Sequence, residues 1–394
     1  VTAAAARPVA AAHAAIPALL CANAVAGAGT FLPAALLAPM AADLGAGVAA
    51  TGQSLTAFAA AMAVSAPLLA AATARLDRRL LLTGVLALFA LLSLGTAWVG
   101  SLAALLVVRT LAGSVAGLIT PQVAATAGLL VPAERRASAV AQVFNGYALS
   151  IVFGLSVGAY LGDRFGWRSA MVGVAVLAAV VAAWLARVLP RGLQVAPLTL
   201  SAARGLFADR GTMGILAVTV LQATGQFMVY SFLGPLLEQQ AGVAPRHAGL
   251  AFAVLAATGV AGGVWATRAL ATSSPGRVAG ASLAALGAGF AMWPLIPWTN
   301  GAPWALAAVA IAWGTPCFAV NMAQQARLIQ ARPALATLSV AMNSSGMFVG
   351  QALGTAVAGA LIHADAVPLL SWVGTVLIGS AWLLSAAVER HGTH

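Results

Sequence analysis

Apolar residues fill this chain in twelve long blocks, and charged residues collect at the junctions between them. A bilayer core about 30 Å thick takes roughly 20 residues of helix. Breaks at charges, Pro and Gly give predicted spans at 14–38, 51–74, 80–98, 101–130, 138–161, 168–188, 213–236, 247–270, 277–297, 302–326, 334–361 and 367–388. The longest junction, residues 189–212, divides the spans into an N-terminal bundle of six helices (1–188) and a C-terminal bundle of six (213–394). Its stretch LTLSAARGLFADRG predicts a short surface helix capped by Ser201. The expected fold is an all-α membrane protein of twelve transmembrane helices in two six-helix bundles.

Composition sharpens this reading. Of 394 residues, 62% are hydrophobic and 7% charged, against roughly 25% charged in a soluble domain. The basic residues are all arginine, and fifteen of the nineteen fall at one face of the predicted spans. They include Arg7, the cluster Arg75, Arg78 and Arg79, and the pair Arg135 and Arg136. Arg164, Arg168 and Arg246 fall at the other face, and Arg109 alone lies within a span. The positive-inside bias then puts both termini in the cytoplasm. It accounts for the basic balance and leaves no surplus for a nucleic-acid face. Cys21 and Cys317 both sit in apolar segments, as small hydrophobic residues do. No cleavable leader is expected, because the first apolar block runs on into an evident helix. The location expected is a bacterial cytoplasmic (inner) membrane, with the bilayer as environment and a monomer as the working unit.

The halves show faint self-similarity. TAFAAAMAVSAPLLAAATAR in the second span aligns with LAFAVLAATGVAGGVWATR in the eighth, with Phe58 over Phe252 and Thr73 over Thr267. Gly154 and Gly158 in span five align with Gly350 and Gly354 in span eleven. A six-plus-six repeat is the pattern of transporters whose two bundles rock about a central site.

Four stretches resemble the major facilitator superfamily, in its twelve-helix drug:proton antiporter branch, and within that the arabinose, sugar and purine-nucleoside efflux permeases. The first is PLLAAATARLDRRLLL, residues 67–82: Arg75, Arg78 and Arg79 match the basic positions of the family's loop signature, while Ala70, Ala74 and Asp77 replace its Gly, Asp and Gly. In the family this loop locks the bundles on the cytoplasmic side, so the resemblance makes Asp77 a candidate substitute for the missing acid. A plain positive-inside anchor reads the loop equally well. The second is VVRTLAGSVAG, where Arg109, Gly113 and Gly117 match the fourth-helix signature. The glycines share a face and permit close helix packing. The third is NGYALSIVFGLSVGAYLGDRFGWR, with Gly146, Gly154, Gly158 and Gly162 in one stripe but without the signature's Gly-Pro pair. The fourth, QATGQFMVYSFLGPLLEQQAG, resembles the seventh helix of the sugar and purine exporters. The resemblance implies a secondary active transporter that exports a small organic molecule by alternating access with proton coupling, without catalysis and without a cofactor.

Polar side chains within spans normally face the bundle interior. The candidate substrate-binding residues are Asn23, Gln122 and Asn145 in the first half. In the second half they are the four-spaced runs Gln222, Gln226, Tyr230; Trp313, Cys317, Asn321, Gln325; and Asn343, Met347, Gln351. Each single amide has an alternative role as an interhelical hydrogen bond. Amides with Trp and Tyr suit a neutral or amphipathic solute. No Asp, Glu or His falls mid-span, so a usual proton carrier is missing. Three partners stay open for Arg109: backbone oxygens of span one or Asn23; an acid from the far end such as Asp43 or Glu238, serving as proton site; or an anionic substrate. The lack of membrane acids favours an importer or uncoupled facilitator of a small anion as the rival function. A membrane-embedded enzyme would need metal-ligand clusters or paired carboxylates, which the sequence does not offer.

Overall fold

A computed structural model describes residues 2–132, 135–150, 155–194, 207–242, 248–299, 303–332 and 335–392. Every extended element within them is helical. In the first half these are α1 (Thr2–Ala35), α2 (Leu37–Asp43), α3 (Val48–Ala72), α4 (Arg78–Trp98), α5 (Leu102–Leu129), α6 (Arg136–Leu149), α7 (Leu155–Phe165) and α8 (Trp167–Val188). The second half comprises α9 (Arg210–Tyr230), α10 (Leu233–Ala241), α11 (Ala248–Thr272), α12 (Pro275–Met292) with a 3-10 turn at Trp293–Thr299, α13 (Pro303–Ala331), α14 (Ala336–His363) and α15 (Leu369–Gly392). Among the described residues nine helices are long and apolar enough to cross a membrane. The other three predicted spans correspond to α6 with α7, to α11 and to α13. The surface helix expected around Ser201 lies outside the described residues, as do residues 195–206 of the linker.

Local chemistry sets where these helices start and stop. Side-chain oxygens of Asp77, Ser101, Asp209 and Ser274 accept backbone N–H groups at the starts of α4, α5, α9 and α12, which satisfies donors that a helix leaves open. Gly166, at φ +82°, makes the turn between α7 and α8. Spans one and seven are each split where a single helix was expected. The chain breaks at Leu36 and again at Ser231–Phe232, and a proline stands close to each break, Pro33 and Pro235. Proline has no N–H to offer the carbonyl four residues back.

In the first half α3 packs on α5, α4 on α8 and α1 on α6; in the second, α9 packs on α14 and α15, and α13 on α11 and α12. The halves meet chiefly where α14 lies along α3 and α7 lies against α11. That contact belongs to the arginine-poor end. A Cβ on Gly359 would run into Gln53, and one on Gly52 into the Phe232 ring. Span five shows the asymmetry clearly. Its arginine-poor half, α7, engages α11, whereas its arginine-rich half, α6, has α1 and α5 as principal neighbours. Among the described residues the halves are therefore joined at the arginine-poor end, and no comparably close contact between them is seen at the arginine-rich end.

One ion pair at the arginine-rich end ties α9 to the end of α13. Arg332 Nη2 donates to Asp209 at 2.8 Å, and Thr212 N donates to it at 2.9 Å. These contacts hold the Asp209 carboxyl down to about 2. A lowered carboxylate stabilises the fold above its unfolded pKa, about 3.9, and the benefit disappears as pH falls toward 2. Both side chains are partly exposed, so the contribution is below about 1 kcal/mol. Asp209→Asn is expected to lower the melting temperature slightly at neutral pH. The difference from wild type should shrink below pH 4 in a melting series run against pH.

Candidate substrate site

The second half gathers the polar runs into one face. Residues four apart share a helical side, which brings Gln222, Gln226 and Tyr230 of α9 against Trp313, Cys317, Asn321 and Gln325 of α13. Gln222 Nε2 donates to Gln226 Oε1, and Gln226 Nε2 reaches Cys317 Sγ at 2.8 Å. Gln325 Nε2 donates to Asn321 Oδ1 at 2.7 Å, and Asn321 Nδ2 contacts Met347 Sδ of α14 at 2.9 Å. Cys317, Asn321 and Gln325 keep partial exposure. The result is a continuous strip of amide, thiol and thioether groups without formal charge.

An aromatic cluster closes the arginine-poor end of this strip. Tyr230 meets Trp313 edge-on at 6.2 Å, and Trp313 meets Phe290 at 5.1 Å and Trp293 at 6.1 Å. The cluster crosses to the first half through Phe31 of α1. This ring stacks on Phe227 at 6.3 Å and meets Tyr230 at 5.4 Å and Tyr147 at 5.3 Å. Offset and edge-on pairs each add about 0.5–1.5 kcal/mol beyond area burial. Trp313 is 1% exposed, and its Nε1 has no protein acceptor. A buried donor in that state calls for a partner, and it is buried among these rings.

The amides of the first half make contacts outside this strip. Asn23 Nδ2 donates to the Val143 carbonyl at 3.0 Å and its Oδ1 accepts from Thr120 at 2.7 Å. It ties α1, α5 and α6 together and is fully buried. Gln122 accepts from Arg78, whose Nη2 also bonds the Ala74 carbonyl at 2.6 Å. Asn145 stands exposed on α6 with Gln142 and Leu149. The second half has a matching buried knot. Thr219 donates to Asn343 at 2.7 Å, and Gln324 Nε2 donates to the Ile215 carbonyl at 3.0 Å. Asn343 Nδ2 is buried without a protein acceptor, and Gln351 is buried one face-repeat beyond Met347.

Arg109 is 2% exposed. Its Nη1 donates to the Gly29 carbonyl at 3.0 Å, and its guanidinium carbon lies 3.9 Å from the centre of the Phe58 ring. No ion pair with a described carboxylate accompanies it. A charge within a span costs about 2.5–3.5 kcal/mol on insertion scales. A hydrogen bond to a charged group contributes about 1.5–3 kcal/mol, and a desolvated cation–π contact about 2 kcal/mol. The two together offset part of that cost, and Arg109 Nε and Nη2 are buried without a hydrogen-bond partner among the described residues. Of the three partners expected, the structure shows the backbone of span one, and Asn23 is engaged elsewhere.

Asp43 does not reach this guanidinium. It pairs with Arg168 and accepts from Trp167 Nε1 at 3.2 Å. The Arg168 guanidinium holds its carboxyl below the usual carboxylate range. Asp77 is also occupied within its own half, capping α4 through Arg79 N and Leu80 N and accepting from Gly192 N. Arg79 bonds the Leu189 carbonyl at 3.3 Å, and Arg75 is exposed. Among the described residues the loop 67–82 is thus stitched to the chain after α8, and not across to the second half. Gly113 and Gly117 press α5 onto the backbone of α3 at Phe58 and Met62. Gly158 packs on Leu32, and Gly154 lies outside the described residues.

Sequence reasoning missed Phe31, Tyr147, Phe227, Phe290 and Trp293, because an aromatic in an apolar span reads as ordinary core. It also missed Thr120 and Thr219, whose hydroxyls orient the two buried asparagines.

Two six-helix sets joined at one end, with an uncharged polar strip leading from that junction, define a membrane transporter of small solutes. The chain belongs to the Major Facilitator Superfamily, whose family model matches residues 19–355. The inner membrane transport protein YdhP of Escherichia coli (strain K12) is 28% identical over 358 residues, covering 90% of each chain. A chloramphenicol resistance protein of Streptomyces lividans is 29% identical over 382 residues, covering 94% of this chain and 95% of the relative. Among solved structures, a D-xylose-proton symporter shares the fold, with a TM-score of 0.77 at 14% identity over 95% of this chain and 97% of that one. The protein is a multi-pass protein of the bacterial cytoplasmic membrane.

Proposed function

We propose that this protein exports a small, uncharged amphipathic molecule from the cytoplasm by alternating access. The observation that carries the reading is the strip Gln222–Gln226–Cys317–Asn321–Gln325, which ends on the Tyr230–Trp313 aromatic cluster. It offers hydrogen bonds and ring faces but no formal charge. The joining of the halves at the arginine-poor end, with no comparably close contact among the described residues at the arginine-rich end, supports a cytoplasm-facing state, with both termini on that side under the positive-inside bias. Two relatives add weight. One is the chloramphenicol resistance protein, and the other is a probable sugar efflux transporter of Mannheimia succiniciproducens, 24% identical over 347 residues. Gln222, Gln226, Tyr230, Trp313, Asn321 and Gln325 form the proposed binding face, with Asn343 and Gln351 behind it.

Proton coupling enters this proposal from the resemblance to proton-driven exporters, and domain boundaries at 188 and 213 enter from the sequence. The rival, an importer or facilitator of a small anion, would need Arg109 as counter-ion. That residue is sealed under Phe58 and bonded to Gly29. Expression in a host stripped of its own exporters tests the reading with a panel of neutral, anionic and cationic aromatic compounds. Tolerance is expected to rise for neutral compounds, chloramphenicol among the panel, and to fall back when an uncoupler is added. A gain confined to anions would reverse the assignment.

A further inference from the structure

In an α-helix the N–H of residue 33 would donate to the carbonyl of residue 29. Residue 33 is proline, which has no N–H, and α1 continues past it to Ala35. The Gly29 carbonyl is thereby left without its own helical donor. Arg109 Nη1 stands 3.0 Å from that oxygen. The same end of α1 presents the negative pole of the helix, which favours a cation. Residue 29 has no room for a side chain either, since a Cβ there would run into the Phe89 ring. Two residues on, Phe31 crosses to Phe227 and Tyr230 of the second half.

We propose that Arg109 is the substitute donor for the carbonyl that Pro33 sets free, and that this pin positions α1 so that Phe31 bridges the halves. Pro33 is then a positioning residue for the transport cycle, acting through Gly29 and Arg109. The arrangement gives a buried guanidinium an acceptor for Nη1 without a carboxylate, while its Nε and Nη2 stay unpaired among the described residues. Its positive charge meets a freed carbonyl, a helix pole and the face of Phe58. The inference does not depend on what is transported or in which direction.

The test compares wild type, Arg109→Ala, Pro33→Ala and the double variant, each full-length in lipid nanodiscs. Hydrogen exchange at residues 30–36 reads the pin, and peptide-resolved alkylation of Cys317 by N-ethylmaleimide reads the bridge. Cys317 lies one helical turn after Trp313, in contact with Gln226, and is partly exposed. Arg109→Ala is expected to speed exchange at least tenfold and alkylation severalfold. Pro33→Ala supplies the missing N–H, so the double variant should return both rates to within twofold of Pro33→Ala alone. If the double variant keeps the fast rates of Arg109→Ala, or if Arg109→Ala matches wild type, the proposal is wrong. Restored exchange with fast alkylation would overturn the bridging role. Should Arg109→Ala fail to fold, a folded double variant supports the pin and an unfolded one refutes it.

Discussion

Gly113→Val is expected to abolish recovery of folded, monodisperse protein or to lower its melting temperature by many degrees. A Cβ at this position runs into the Phe58 carbonyl and α-carbon, which are backbone atoms of α3 and cannot rotate away. Overpacking a tight seam costs about 1–3 kcal/mol and more where nothing yields. The seam also carries Phe58 across the face of Arg109, so widening it removes a cation–π contact from a buried charge. Gly84→Val on α4 is the control, because nothing lies within 4 Å of a Cβ there. Size-exclusion profiles and melting curves of the two variants should separate widely. Equal behaviour would mean that α3 and α5 are not held at the spacing described.

Gln226→Ala should leave the fold intact and weaken substrate recognition about ten- to hundredfold. Gln226 is the middle of the strip, accepting from Gln222 and donating to Cys317. Truncating it strands the Gln222 amide and removes the link from α9 to α13. A solute group left unpaired in the bound complex costs about 1–3 kcal/mol, and every 1.4 kcal/mol is a factor of ten in affinity. A tolerance assay with the neutral compounds gives the readout, beside a melting curve that should fall by a few degrees for the stranded Gln222 amide without loss of the folded protein. Gln122→Ala is expected to show the reverse, with lost stability and unchanged specificity, since Gln122 is buried and holds Arg78.

Periodicity and charge placement made most of the fold readable. Twelve apolar blocks and an arginine bias at one face led directly to the helix order. The four-residue spacing of Gln222, Gln226 and Tyr230, and of Trp313, Cys317, Asn321 and Gln325, showed which side chains share a face. The structure then showed that those two faces meet. Single amides were less legible. Whether Asn23 lines a cavity or ties helices depends on Thr120 and Val143, about a hundred residues further along the chain. The repeat was also legible. Gly158 packs on Leu32 of α1 and Gly354 at Met228 of α9, each four residues before the break that ends its partner helix, in the register that pairs Gly158 with Gly354. The partner of Arg109 was present in the sequence as Pro33, four residues after Gly29, but only the fold brings α5 to that carbonyl.

The central claim, export of an uncharged solute along this strip, is tested most directly by untargeted mass spectrometry of medium and cytosol. The cells compared would express wild type, Gln226→Ala or no transporter. The account predicts a neutral amphipathic compound that accumulates in the medium with wild type and stays in the cytosol with Gln226→Ala or without the protein. Compounds that instead disappear from the medium only when wild type is present would contradict it and identify an importer.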